Sequence, residues 1–320
     1  MINDMYQPVT LRNAVLAEHI SVFESHIRKS ASPHTADTYS RSLRCFLSFV
    51  IQDRKFKFRI KDFERYKTHL IETKKLQSPS ISTYLTSLRR FSQYLVEVKV
   101  LPRNPAKHVH SQKNPISTIP SFFNLHELLM FFDTMDMQSM HGLRDKALFS
   151  FMLGSMLKEQ ELLSLTIADT QTLSMNSLIK LPETISEKQC EVKLPHFASE
   201  ALSSYLHERF PEVMIQDAPL FHSLSNRSLG CRMSVRGLRD AFQKRMKKSG
   251  ISPDRQKVLS PYSLRHTAGC IMALAGQDLE EIMQRMRIVS PSIAQRYLNL
   301  THQAHEAGLH QALHMLEFVH

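Results

Sequence analysis

Proline punctuation between residues 101 and 120 constrains this chain more than any other feature. Leu101-Pro102-Arg103-Asn104-Pro105-Ala106 interrupts an otherwise helical hydrophobic pattern, and Pro115 and Pro120 follow before the pattern resumes. The break reads as a linker over residues 111–120, with one domain before it (residues 1–110) and another after it (residues 121–320). A chain of 320 residues is long enough for two such cores. Only 8 glycines and few strand-like runs point to a mainly α protein with a small β-hairpin.

Charge divides at the same place. Residues 1–110 hold 19 Lys+Arg against 9 Asp+Glu, whereas the remaining residues hold 22 against 21. Nearly all of the net +11 therefore sits in the first third, as expected of a part that grips a polyanion. A membrane surface attracts the same charge, but no basic helix with a bulky apolar face accompanies it. No apolar run reaches eighteen residues, and the N-terminus lacks a signal pattern, so a cytoplasmic location with no membrane partner is expected. Cys45, Cys190, Cys231 and Cys270 form no Cys-x-x-Cys pair and read as free buried thiols.

Within the basic part, Val15, Ile20, Phe23 and Ile27 recur near helical period in residues 11–29. Ser32-Pro33 offers a second helix start, leading into Tyr39, Leu43, Phe46 and Leu47, with Arg41 and Arg44 between them. A third helix is expected over about 61–74. A fourth opens at Ser78-Pro79 and carries Tyr84, Leu85, Leu88, Phe91, Tyr94 and Leu95, with Arg89 and Arg90.

After the break, Asn124 and Glu127 have capping-box spacing at the head of a helix over 125–133. Arg144 opens a long apolar helix through Leu153. The run Ser155-Met156-Leu157-Lys158-Glu159-Gln160-Glu161-Leu162-Leu163 follows. Residues 173–181 and 190–194 can pair as a hairpin. Nine basic residues between Arg232 and Lys257, Arg236 and Arg239 among them, face only Asp240 and Asp254, which suggests a second nucleic-acid surface.

Tyr262-Ser-Leu-Arg265-His266-Thr267-Ala-Gly and Gln295-Arg296-Tyr297-Leu298 place an arginine beside a histidine, with a tyrosine 32 residues after the arginine. A phenol with an ordinary pKa near 10 attacks phosphorus only if its proton is removed and the charge gathering on the phosphate is held by fixed donors. Beyond Tyr297, residues 301–319 read as one terminal amphipathic helix. Its histidines (His302, His305, His310, His314) lack another ligand type nearby, so no metal site is expected.

Together these motifs resemble the tyrosine recombinase (phage integrase) family, in a Xer-like form, over about residues 13–300. Ser32-Pro-His-Thr-Ala-Asp-Thr-Tyr39 is similar to the opening of its core-binding domain. Ser155–Leu165 is similar to its first catalytic box, with Glu161 in register, and Tyr262–Thr267 to its His-x-x-Arg-His-Thr box.

The resemblance implies a two-domain clamp on double-stranded DNA, self-associating there as a dimer or tetramer and needing no metal or nucleotide cofactor. It implies Tyr297 as nucleophile, with Arg265, His266 and Lys158 at the phosphate. It also implies a hairpin lysine as acid, Lys188 with Lys193 in reserve. Arg41, Arg44, Arg89, Arg90, Arg236 and Arg239 are the implied DNA contacts.

Three positions depart from the pattern. Lys158 stands in place of an arginine, Tyr262 in place of a histidine, and Met286-Arg287-Ile288 in place of Leu-Gly-His. Lysine cannot reproduce the planar fork of arginine on a phosphate. The departures therefore leave two expectations: a strand-transfer enzyme, or a DNA-binding regulator on the same fold that has lost the chemistry.

Overall fold

The computed structural model describes residues 11–53, 55–110, 120–170, 178–181, 190–212 and 215–316. The chain divides into two compact units, Met1–Ser117 and Thr118–His320. Each has its own core.

The first unit is built from α1 (Asn13–Ser30), α2 (Pro33–Gln52), α3 (Ile60–Glu72) and α4 (Ser78–Glu97). The side chain of Ser32 accepts a hydrogen bond from the Thr35 amide, and Pro33 fills the first turn of α2, where its missing N–H costs nothing. On α1 the buried stripe is Leu16, Ile20, Phe23 and Ile27; Leu16, not Val15, begins it. An aromatic cluster of Phe46, Phe56, Phe58, Phe63 and Tyr66 closes one end of the unit, mostly edge to face. Each such ring contributes about 1.5–3 kcal/mol by leaving water.

The second unit begins with α5 (Leu125–Asp133) under the expected cap: the Asn124 side chain accepts from the Glu127 amide, and Glu127 accepts from the Asn124 amide. The next helix, α6 (Met140–Ser155), starts earlier than Arg144 because Ser139 caps it on the Gly142 amide. Gly142 is required there, since an added Cβ would stand 1.5 Å from the Asp136 carbonyl oxygen. From Leu143 onward α6 is buried on almost every side, which makes it the axis of the unit.

Around α6 lie α7 (Glu159–Ser164), α8 (His196–Arg209), α9 (Val235–Lys248) and α10 (Pro253–Val258). They are followed by α11 (Pro261–Leu274), α12 (Leu279–Arg285), α13 (Pro291–Leu298) and α14 (Thr301–Glu306). Strands β1 (Leu178–Leu181) and β2 (Cys190–Lys193) pair antiparallel, Leu178 opposite Lys193 and Leu181 opposite Cys190. The expected architecture, mainly α with a small hairpin, is what the chain adopts.

Two expectations need correction. The terminal segment is not one helix: Gly308, at φ +76°, ends α14, and Leu309–Leu316 continues as a 3-10 helix. That turn buries Leu309 and Ala312 against its own unit. Cys231 is exposed, while Cys270 is buried.

The basic run 232–257 also differs from a uniformly exposed surface. Arg245 is buried and donates to Asp145 Oδ2 (2.7 Å) and the Thr134 carbonyl (2.7 Å), while Arg144 holds the other oxygen of Asp145. Arg255 bridges Glu127 and the Phe122 carbonyl. Arg232 donates to the carbonyls of Leu163 and Leu165. Arg245 braces the unit from inside, whereas Arg255 is half-buried and Arg232 exposed while each ties neighbouring segments together; Arg236, Lys244, Lys247, Lys248 and Lys257 are also exposed.

Candidate active site

Three of the sequence-selected catalytic residues converge on two helices. Ser260 and Ser263 cap α11 reciprocally, and Pro261 occupies its first turn. Arg265 and His266 follow one turn later, and α13 lies alongside with Tyr297 near its end. The Tyr297 hydroxyl sits 2.9 Å from Nδ1 of His266. Close approach of the two helices depends on Gly269, where a Cβ would stand 2.9 Å from Cδ1 and Cε1 of Tyr297. Thr267 serves the fold: its hydroxyl accepts from the Phe123 amide at 2.9 Å and donates to the Ser263 carbonyl.

Arg265 is 1 % exposed. One end of its guanidinium donates to the carbonyl of Met156 and the other to that of Met286. Met156 caps the end of α6 in a left-handed conformation, and Met286 caps the end of α12. Arg265 therefore joins the segment carrying Lys158 to the segment carrying Arg287. Its Nε is buried without a hydrogen-bond partner among the described residues. An orphaned buried donor costs about 1–3 kcal/mol, a cost relieved when an anion arrives.

Burial sets the protonation states. It lowers the His266 pKa from 6.5 to about 4, helped by Arg265 and Arg296, so the ring is neutral near pH 7. A neutral ring with its proton on Nε2 accepts the tyrosine O–H at Nδ1, the arrangement of a general base. Burial also pushes the Tyr297 phenol well above its ordinary range, with Arg265 opposing. At 2 % exposure the phenol is screened from solvent, so a phosphate reaches its oxygen only after α13 or the side chains over it shift.

Lys158 lies at the head of α7. Its amide donates to Glu161 Oε2 at 2.7 Å and its Nζ lies 3.3 Å from Glu161 Oε1. Arg287 reaches the same carboxylate from the loop after α12. Tyr262 stacks edge-on against His266 with ring centroids 4.9 Å apart, and the Arg265 guanidinium lies 5.7 Å from its ring. Ile288 packs into the hydrophobic core and brings no donor. Lys188 lies outside the described residues; Lys193 is exposed on β2.

The six arginines selected as nucleic-acid contacts are not alike. Arg41 and Arg44 on α2 are exposed, and Arg90 on α4 is exposed with its guanidinium 5.7 Å from the Tyr39 ring. Arg89 is half-buried and donates to the Val109 carbonyl at 3.0 Å and Thr86 Oγ1 at 2.8 Å, a bracing role. Arg236 is exposed on α9. Arg239 pairs with Glu159 at 2.7 Å, beside Lys158 in sequence.

Glu161 and Arg287, joined by an ion pair, and Gly269, packed against Tyr297, shape this site in ways that motif reading undervalued. The first was visible as a motif position only. Gly269 was visible as a glycine but not as a contact. Nothing in the local sequence links Arg287 to Glu161.

Residues 121–304 match the model of the phage integrase family. The chain is 26% identical over 292 residues to tyrosine recombinase XerC of Myxococcus xanthus, covering 89% of this chain and 94% of the relative. It is 27% identical over 297 residues to tyrosine recombinase XerC of Pelotomaculum thermopropionicum, covering 88% and 94%. The fold is similar to that of XerH site-specific recombinase bound to palindromic difH substrate, in a post-cleavage complex. There the TM-score is 0.70 at 15% identity, over 93% of this chain and 84% of the other. It is also similar to the Tn1549 transposon integrase in complex with circular intermediate DNA, with a TM-score of 0.68 at 17% identity over 88% and 94%.

Proposed function

The chain belongs to the phage integrase family, and from that premise we propose that it is a site-specific DNA strand-transfer enzyme with Tyr297 as nucleophile. The carrying observation is the 2.9 Å contact of His266 Nδ1 with the Tyr297 hydroxyl, one residue from the buried Arg265.

In this reading the first unit and the outer face of α9 hold double-stranded DNA through phosphate contacts, with Arg41, Arg44, Arg90 and Arg236 as the exposed cations. Domain boundaries at 110 and 121, with a linker between, let the two units clamp the duplex. Copies associate on the DNA, as in the lambda integrase dimer bound to a core site, a structure of the same fold.

Cleavage starts when α13 shifts and the Tyr297 oxygen meets phosphorus. His266 takes the phenol proton as the O–P bond forms. Arg265 neutralises the charge on the non-bridging oxygens, its unpartnered Nε supplying one donor. The bond to the 5′ oxygen breaks, and that oxygen takes a proton from Lys188, with Lys193 as the alternate. The product is a 3′-phosphotyrosine and a free 5′ hydroxyl. Rejoining reverses the step, with another 5′ hydroxyl as attacker. Bond energy is kept in the phosphotyrosine, so no nucleotide is consumed.

The test is a nicked duplex carrying the sequence that the protein selects from genomic fragments. A denaturation-resistant protein–DNA adduct is expected. Tight, selective binding with no adduct would contradict strand transfer and leave a regulator.

A further inference from the structure

We infer that Arg239 is a positioning residue, which through Glu159 ties Lys158 to α9, the helix that meets the duplex. The inference rests on the reading of Tyr297 as nucleophile with Lys158 at the phosphate, and concerns what holds Lys158 in place.

The length of α7 is the first observation. It spans only the six residues Glu159–Ser164, with Lys158 as its N-cap. A helix that short takes its orientation from tertiary contacts, because its own hydrogen bonds are too few to hold it. Leu162 and Leu163 pack into the core. The two ends of the helix are held by arginines.

Both of those arginines come from one segment. At the N-terminal end, Arg239 on α9 grips Glu159 with two prongs, Nη2 to Oε2 at 2.7 Å and Nε to Oε1 at 3.3 Å. At the other end, Arg232 donates to the Leu163 carbonyl at 2.5 Å and the Leu165 carbonyl at 2.9 Å. Arg232 lies two residues before Ser234, which caps α9 on the Gly237 amide. Helix α9 and its entry thus clasp α7 end to end. From inside, Arg265 donates to the Met156 carbonyl. Lys158 therefore stands between two arginine-held residues, Met156 before it and Glu159 after it.

Exposure decides what the Arg239 contact is for. Its side chain is 61% exposed, against 11% for Glu159. An ion pair with one partner so open to water adds little to stability. A guanidinium fork on a carboxylate does fix geometry. Arg239 is also an expected DNA contact by its place beside Arg236, yet it turns onto the segment of Lys158. Arg236, Lys244, Lys247 and Lys248 on the same helix are exposed and remain for phosphates.

The test uses the full chain and the nicked duplex described above, with protein in excess and adduct formation timed under single-turnover conditions. At saturating protein, Arg239→Gln and Glu159→Gln are each expected to slow adduct formation by about 10²-fold, the effect of a reacting group misplaced by about 1 Å. The double variant should be no slower than the slower single one, because either change opens the same contact. Arg239→Lys keeps a cation for Glu159 without the fork, and its rate should fall between those of the parent and Arg239→Gln. Affinity, salt slope and melting temperature should stay near parental in all four. A DNA-contact role would instead lower the affinity and salt slope of Arg239→Gln and leave Glu159→Gln unslowed. A purely stabilising role would lower the melting temperature and leave the rate alone. Either pattern, or additive losses in the double variant, would overturn the inference while leaving the Tyr297 reading intact. An unaltered chain that forms no adduct would remove both.

Discussion

Gly269 lies so close beneath Tyr297 that a Cβ at residue 269 would stand 2.9 Å from both Cδ1 and Cε1 of the phenol ring. Helix α11 carries Arg265 and His266 on the turn before this contact, so one glycine sets how near the tyrosine comes to its partners. Gly269→Ala is expected to push the ring outward or force Met286 aside, costing about 1–3 kcal/mol of stability. Thermal unfolding and adduct assays would both register the change. An alanine variant with parental stability and rate would mean that α13 adjusts freely.

Acid is expected to weaken both folding and cleavage. Burial holds His266 at a pKa of about 4, and burial with Arg209 and Arg144 nearby holds His222 there too, both below the ordinary 6.5. The unfolded chain therefore binds more protons between those values. Stability from these two groups is complete above pH 6.5 and falls progressively towards pH 4. Melting temperature across that window would reveal the slope, and His222→Gln is expected to flatten it. Adduct formation through a neutral His266 follows the same sign, declining as the pH approaches 4.

Among the surface arginines, position decides the outcome of substitution. Arg44→Ala removes an exposed cation and is expected to weaken DNA binding about equally for all sequences, lowering the salt-dependence slope by about 1. Arg89→Ala removes hydrogen bonds to Val109 and Thr86, so its main effect should appear in unfolding of the first unit. Salt titration of binding, paired with denaturant unfolding, separates the two. Equal effects of both variants on the salt slope would contradict the assignment of Arg89 as a brace.

Asp145 accepts from Arg144 and Arg245 in the interior of the second unit. Arg245→Ala leaves that carboxylate half-compensated and is expected to cost about 3–5 kcal/mol, far beyond what an exposed cation of α9 such as Lys248 would cost. Denaturant unfolding of Arg245→Ala beside Lys248→Ala would check the contrast.

How much of this was legible in the sequence depended on the distance over which each feature is determined. Local features were readable: the Asn124–Glu127 cap, the Ser32-Pro33 start of α2, and the Tyr297, Arg265 and His266 motif. Their physics lies within a turn or two of helix. Features set by partners far along the chain were not. Arg245 and Arg255 read as surface charge because Asp145 and Glu127, the carboxylates that hold them, lie about a hundred residues earlier. Arg287 read as a departure from pattern, because its link to Glu161 crosses from one loop to another. The terminal segment kept helical periodicity through Gly308, so pattern alone missed the left-handed turn that breaks it.

The most direct measurement is to digest the denatured protein–DNA adduct and locate the linkage by mass spectrometry, with Tyr297→Phe run alongside. A phosphodiester-linked peptide centred on Tyr297, and no adduct from the phenylalanine variant at undiminished DNA affinity, is the expected result. An adduct that persists in Tyr297→Phe, or maps to another residue, would contradict the assignment of Tyr297 as the nucleophile.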